Sequence, residues 1–397
     1  MKTDPIDRAL MLRESLIQND KILVADFRGT LQGEDTSKVI DLMPIVGTTD
    51  YPFRTKVNVK EIDPLASEKY ETPFFDITKK TENEIEKFLR KQEFDFPLWY
   101  KHERQFNMKK VNFYNAPFTL QIAGCNFHTG NSSGGCWYCF VDDKNNNGLP
   151  GQGKVNLGIN ETIDSMLSAR KKIVSQYQRL GHDTNLKVLR TSGGEPTIVL
   201  DWILNLWREI KKRNLDFVGQ LDSNLSTATL VDYFESERIF EKFTLEKLAE
   251  YPIKVLTALK GVDDCNLQQN VQSVTSIEDQ MYSLKRFVNS GFDIFPQMYN
   301  PDPKKLRNYL ENVDNIIDNI SLRIHIGPLK LYGPNSKRLT FEAQRKGVDE
   351  VKFIVDRQIS WNSNYIQSCE IINNYLKEKY GVSYKEVTRS DVKLKVK

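Results

Sequence analysis

The chain has 397 residues, with 56 Lys or Arg against 53 Asp or Glu and a formal net charge of +3. Charged residues at 27% and aromatics at 11% exclude disorder on a large scale, and the near balance of charge gives no global basis for holding nucleic acid. No apolar run is long enough to span a bilayer, and the polar start MKTDPIDRAL has no signal-peptide core, so a cytoplasmic protein with no membrane partner is expected.

Residues 1–112 read as an N-terminal α+β extension. Arg8 to Gln18 has the spacing of a short amphipathic helix, Lys21 to Phe27 that of a strand, and Thr81 to Lys91 that of a helix rich in Glu and Lys. Pro44, Pro52, Pro64 and Pro73 interrupt any longer element, which leaves little from which to build an independent core. Trp99, Tyr100, His102 and Arg104 form an aromatic and basic cluster that contacts either a substrate or a packing interface.

The next stretch, FTLQIAGCNFHTGNSSGGCWYCFVDD from Phe118 to Asp143, holds three of the five cysteines. Its apolar start reads as a buried strand, and Cys125, Cys136 and Cys139 follow in C-x10-C-x2-C spacing. An odd set of thiols in a reducing compartment points to metal rather than to disulfides. Three thiolates suit an iron-sulfur cluster with one iron left open. Zinc is the competing reading, with His128, Cys265 or Cys369 as a fourth ligand, in a non-catalytic structural or interaction module.

Beyond the Asn- and Gly-rich connector Lys144 to Gly153, strand and helix alternate. A helix is expected from Glu161 to Leu180 and a strand from Lys187 to Thr191, running into the turn Ser192-Gly193-Gly194-Glu195-Pro196. Two adjacent glycines let the backbone approach a ligand closely, and Glu195 offers an acceptor to an ammonium group. Helix Leu200 to Arg213 follows, with Trp207 at core spacing, and then strand Asp216 to Leu221 with Asp222, Ser223 and Asn224 at its end. Those three either bind a ligand or cap a turn. Further strands are expected at Ile253 to Leu259, Phe292 to Met298 and Ser321 to Ile326, with helices Ser276 to Asn289 and Lys304 to Ile317 between them.

Six strands with crossover helices imply a parallel sheet curled into a partial (β/α)6 barrel over residues 113–337. Working groups in such folds gather at the C-terminal ends of strands, which singles out Lys260, Gln297 and Asn300, and in the last strand Arg323 and His325. Arg323 and His325 share one face with Ser321 if that strand is regular. Lys330, Tyr332, Lys337 and Arg338 beyond it are either a site for an acidic substrate or a solvated loop. Residues 338–397 read as a helical segment, around Glu342 to Arg357 and Tyr365 to Lys379, with the basic tail VKLKVK. Three tail lysines are too few to establish nucleic-acid binding.

Cys136-Trp137-Tyr138-Cys139 and Gly193-Gly194-Glu195, one helix and one strand apart, resemble the paired signatures of the radical S-adenosylmethionine (radical SAM) superfamily. The usual first signature is C-x3-C-x-aromatic-C, so the ten-residue first gap is a departure. The resemblance covers Phe118 to Pro334, with a layout nearest the activating-enzyme branch typified by the pyruvate formate-lyase activating enzyme. It implies that Cys125, Cys136 and Cys139 hold a [4Fe-4S] cluster, that Tyr138 approaches the adenine of SAM, and that the GGE turn with Ser192 receives its methionine amino group. It further implies ribose or methionyl contacts for Asp222, Ser223 and Asn224, a methionine contact for Lys260, where Ala258 replaces the branch's acid, and a cofactor contact for His325. An external one-electron donor of flavodoxin or ferredoxin type, reductive cleavage of SAM and hydrogen abstraction from a protein glycine, a small metabolite or RNA complete the expectation.

Overall fold

The computed structural model describes residues 4–25, 53–54, 57–58, 114–115, 118–128, 135–151, 154–179, 188–384, 387 and 392–397. The helix expected at Thr81 to Lys91 and the cluster from Trp99 to Arg104 lie outside the described residues.

Helix α1, Pro5–Leu16, starts where Asp4 accepts the Ile6 amide at 2.7 Å and where Pro5 occupies the first helical turn, which needs no amide donor there. It buries Ala9, Leu12 and Leu16 and is followed by strand β1, Lys21–Ala25. Strand β2 is Phe118–Ile122, and β3, Lys154–Leu157, pairs antiparallel with β1. Helix α2, Ile159–Arg179, leads to β4, Val188–Gly193, and helix α3, Leu200–Lys212, leads to β5, Val218–Ser223. Helices α4, Ala228–Ser236, and α5, Thr244–Ala249, precede β6, Ile253–Leu259. Helices α6, Asp264–Asn270, and α7, Ile277–Asn289, precede β7, Asp293–Tyr299. Helix α8, Pro303–Ile316, precedes β8, His325–Gly327, and the chain goes on into α9, Gly333–Lys346, and α10, Glu350–Tyr380.

Strands β2, β4, β5, β6, β7 and β8 lie side by side in that order and run parallel, with β8 at one edge of a mixed sheet whose antiparallel members lie at the β2 end. The mixed α/β class with a mostly parallel sheet is therefore the observed one. One face of the sheet carries the core: Leu120, Ile122, Leu221, Val255 and Ile294, which share that face, are almost fully enclosed. Trp207 packs in this core beside Gly219, where an added Cβ would meet its ring at 2.5 Å. Long α10 adds Tyr365, Cys369, Ile372 and Leu376 to the same core.

The last strand departs from expectation. Ser321 to Ile326 is not one strand, because residues Ile320–Arg323 form a helical turn and only His325–Gly327 joins the sheet. Asn319 takes a left-handed φ of 67°, and the Asp314 carboxylate accepts the Ser321 amide at 3.0 Å and hydroxyl at 2.6 Å, which curls the chain before it can extend. Arg323 consequently points to the opposite edge of the sheet, where it binds Asp293 at the start of β7 and the Val392 carbonyl. The C-terminal helices are also longer than expected and break at residues 347–349, with Gly347 at φ +65° and Asp349 capping α10 through the Lys352 amide at 2.7 Å. Tail residues Lys395–Val396 pair antiparallel with Ile317–Asp318.

Asp314 ties these parts together, also accepting from Tyr375 at 2.8 Å, Lys379 at 2.9 Å and Tyr380 at 3.1 Å. Burial pushes its carboxyl up, but the bonds from Lys379 and Ser321 outweigh that and hold it below its ordinary value. A depressed carboxylate contributes stability above its unfolded value that is lost as pH falls through the folded one, so Asp314 should weaken the fold below about pH 4. Asp314→Ala should cost about 3 kcal/mol, read as a lower urea midpoint with unchanged slope, and should flatten the acid limb.

Candidate functional site

A cavity of about 280 Å³ opens at the C-terminal edge of the parallel strands. Its walls come from the loop after β2 (Cys125, Cys136, Tyr138, Cys139), the end of β4 (Ser192 to Glu195), the end of β5 (Asp222 to Asn224), β6 with Lys260, β7 (Gln297, Tyr299) and the loop after β8 (Pro328 to Tyr332). Of the residues to which the resemblance gives a cluster or SAM contact, all except His325 thus line one space. His325 packs its ring 6.5 Å from that of Tyr384 and is not among the lining residues.

The thiol loop and the GGE turn meet backbone to backbone. The Gly194 amide donates to the Ile122 carbonyl at 2.9 Å and the Glu195 amide to the Gly124 carbonyl at 2.8 Å. This seam explains both glycines. Gly193 has a φ of +110°, and a Cβ at Gly194 would stand 1.6 Å from the Gly124 oxygen. Beyond the seam, residues Gly135–Cys136 pair with Val271–Gln272 after α6, and a helical turn, Asp143–Asn146, closes the loop. The Gly124 and Cys125 amides donate to the Asn145 and Asn146 carbonyls at 2.7 and 3.0 Å. Residues 129–134, within the ten-residue gap, lie outside the described residues.

Each thiol has a nitrogen donor beside it, from the loop itself or from the ends of β5 and β6. Asn224 Nδ2 lies 3.8 Å from Cys125 Sγ, Asn146 Nδ2 lies 3.7 Å from Cys139 Sγ, and Lys260 hydrogen-bonds Cys136. Burial pushes the Cys125 thiol up, and its two fellow thiols push it further. Burial likewise raises Cys136, opposed by Lys260 and Arg338. Lys260, itself buried, is lowered by burial but raised more by Cys136 and Tyr138, and its Nζ stands 5.4 Å from the Tyr138 ring centroid. The lysine therefore faces thiols and an aromatic ring.

Glu195 is fully buried, and its oxygens accept from Thr197 N at 3.3 Å and Asn224 N at 2.7 Å. Burial pushes its carboxyl up against those bonds. It therefore fixes the end of β5 to the GGE turn. Ser223 accepts the Leu225 amide at 3.0 Å and Asn224 the Ser226 amide at 3.1 Å, so these two cap a turn while lining the cavity. Asp222 accepts from Arg190 Nε at 2.8 Å, Ser192 Oγ at 2.6 Å and Gln220 Nε2 at 2.6 Å, a satisfied carboxylate inside the cavity.

Sequence reading missed Arg190, Asn146, Leu256, Thr257 and Tyr299 as lining residues. Strand alternation with Ser192 could have found Arg190, and Asn146 carried no signal beyond its Asn-rich run. The group beyond β8 is divided. Lys330 and Tyr332 reach the cavity and Lys337 is exposed, but Arg338 is 1% exposed and turned into the thiol loop, not toward a substrate. Asn300, at φ 47°, is a turn residue whose carbonyl accepts from Asn266 and Asn270.

Two observations test which group the thiols fit. Among the described residues no three of His, Cys, Asp and Glu are placed to hold a single metal ion. His128 Nε2 is engaged with Asp143 Oδ1 at 3.0 Å, Cys265 is exposed on α6 and Cys369 is buried in α10. Three thiols lining one cavity are a donor set that suits a cluster in which each binds a different iron. Among the described residues, Tyr138 Oη, Asn146 Oδ1 and Thr257 Oγ1 are buried lining atoms with no hydrogen-bond partner, so the cavity is built for a polar ligand.

The class so defined is an α/β protein with a thiol-rimmed ligand cavity at the carboxyl ends of parallel strands. No protein-family model matches the sequence, and none of the curated proteins matches it. Among solved structures, the cobalamin-dependent S-adenosylmethionine radical enzyme OxsB with aqua-cobalamin and S-adenosylmethionine bound aligns at TM-score 0.41 and 13% identity, over 74% of this chain and 40% of that one. The radical S-adenosylmethionine methyltransferase TsrM from Kitasatospora setae, with cobalamin and a [4Fe-4S] cluster bound, aligns at TM-score 0.35 and 14% identity, over 57% of this chain and 39% of that one. The chain spans about two fifths of the length of each of these proteins. Similarity of this degree carries no functional conclusion.

Proposed function

We propose that the chain is a radical SAM enzyme: Cys125, Cys136 and Cys139 hold a [4Fe-4S] cluster, and the cavity beside them holds SAM. The observation that carries this is the seam that joins the thiol loop to the GGE turn across one cavity at the strand ends. When bound, the reduced cluster supplies one electron, drawn from an external flavodoxin- or ferredoxin-like donor, that splits SAM into methionine and a 5'-deoxyadenosyl radical able to take a hydrogen atom from the substrate.

The chain's own residues do the rest. Asn224, Asn146 and Lys260 set nitrogen donors against the three thiols, which offsets negative charge in a place shielded from water. The glycine pair brings backbone carbonyls within reach of an ammonium group, and Glu195 holds that backbone still. Tyr138 offers a ring face to the adenine, and Asp222, positioned by Arg190 and Ser192, offers its carboxylate to ribose hydroxyls. Leu256, Ala258, Leu329 and Tyr299 exclude water from the remaining wall. The substrate proposed is a protein glycine, as in the activating-enzyme layout, or a small metabolite.

The test is anaerobic reconstitution followed by SAM and a strong reductant. Four irons and four sulfides per chain, with 5'-deoxyadenosine detected by mass spectrometry, are expected. One zinc per chain and no colour, or a full cluster that yields no 5'-deoxyadenosine, would overturn the reading.

A further inference from the structure

We propose that Arg338, from the helix that follows the cavity rim, is a positioning residue that locks the Cys136–Cys139 half of the thiol loop and places a fixed positive charge beside the cluster. The inference rests on the cluster reading above. Arg338 sits one turn into α9, beyond the stretch that carries the paired signatures. Its side chain is enclosed, at 1% exposure. It donates to the Cys139 carbonyl, to the Val141 carbonyl at 2.7 Å and to Asp143 Oδ1 at 3.0 Å from Nε and 2.6 Å from Nη2. One planar guanidinium thus spans five residues of loop, from the cluster cysteine Cys139 to Asp143.

Asp143 is shared. The same oxygen that receives Arg338 meets His128 Nε2 at 3.0 Å, so the arginine grips both ends of the thiol loop, residue 143 directly and residue 128 through that one carboxylate. Burial pushes the Asp143 carboxyl up, and the bonds to His128 and Arg338 outweigh it. The helix that delivers Arg338 is itself fixed to the cavity rim, because Asn335 accepts the Tyr332 amide at 2.7 Å and donates to the Lys330 carbonyl at 2.8 Å. Leu339, next in the helix, and Trp361 of α10 join Cys136 and Tyr138 in one apolar cluster around the thiols. A cation held in so enclosed a place is weakly screened, and it favours the more negative, reduced cluster.

The test compares reconstituted wild type, Arg338→Gln and Arg338→Lys by iron content, electron paramagnetic resonance of the reduced cluster and a one-electron potentiometric titration. Arg338→Gln should lower the reduced-to-oxidised ratio at fixed potential by about tenfold, equal to about 59 mV for one electron. Arg338→Lys keeps the charge and loses the fork, so its midpoint should stay close to wild type while its resonance line shape changes and a chelator strips iron faster. A wild-type midpoint in folded Arg338→Gln overturns the proposal. Should that variant not fold, Arg338→Lys decides, and an unchanged line shape and chelation rate overturn it. A wild type that holds no iron-sulfur cluster sinks the functional reading as well, whereas a wild type with four irons and unmoved variants sinks the arginine's role alone.

Discussion

Gly194→Ala is expected to abolish cluster loading and most of the folded yield. The added Cβ would lie 1.6 Å from the Gly124 oxygen and 2.2 Å from its carbonyl carbon, and neither is the movable end of a side chain. Relief requires parting β2 from β4 where the Glu195 amide meets the Gly124 carbonyl at 2.8 Å. Losing those bonds inside a buried sheet, in addition to the overlap, should cost more than about 4 kcal/mol, a large share of the stability of an ordinary domain. Thermal melting of the apoprotein and iron content after reconstitution read the two effects separately. An apoprotein that melts like wild type and loads four irons would show that the seam is not rigid. Gly347→Ala is the control: it removes another left-handed glycine, at φ +65° with nothing within 4 Å of the added carbon, and should cost only about 1 kcal/mol.

The second large effect is expected from Cys136→Ala and Cys139→Ala. Each removes one of three thiols that line the cavity, and each leaves its donor, Lys260 or Asn146, aimed at a methyl group. With only two thiolates a cubane has two open irons and loses its fixed orientation, so 5'-deoxyadenosine formation should fall at least about a thousandfold, to background. The fold should survive, since Ala replaces a small side chain at the edge of the apolar cluster. Circular dichroism like wild type together with absent product supports the assignment. Product at wild-type rate from either variant would remove that cysteine from the ligand set.

Much of this arrangement was legible in the sequence, for identifiable physical reasons. Strand β6 coincides with its expected bounds because the mostly apolar IKVLTAL, Ile253 to Leu259, lies between Pro252 and Gly261, and Ser276 caps α7 through the Asp279 amide at 3.1 Å as its residue type promises. The cysteine trio and the glycine pair were visible because few backbones require those residues together. What stayed hidden depends on contacts distant in sequence. Strand alternation at Ser321 to Ile326 was overridden by Asp314, seven residues earlier, and by Arg323 reaching Asp293 thirty residues away. Arg338 read as part of a substrate site or of a solvated loop because nothing in its neighbourhood reveals that Asp143 waits 195 positions upstream. Asp222, expected just past the strand end as a ligand contact or a turn cap, lies within β5, which runs two residues later than its apolar pattern predicts.

The seam between the thiol loop and the GGE turn has a consequence for motion. Because the Gly194 and Glu195 amides are bonded into the chain that bears Cys125, the two walls of the cavity cannot breathe apart without opening the sheet between β2 and β4. These two amides should exchange their hydrogens with solvent only when that part of the sheet opens as a unit, orders of magnitude more slowly than those of exposed turns. They are therefore built-in reporters: slower exchange at Gly194 and Glu195 would register occupancy of the neighbouring thiols without any label or catalytic turnover.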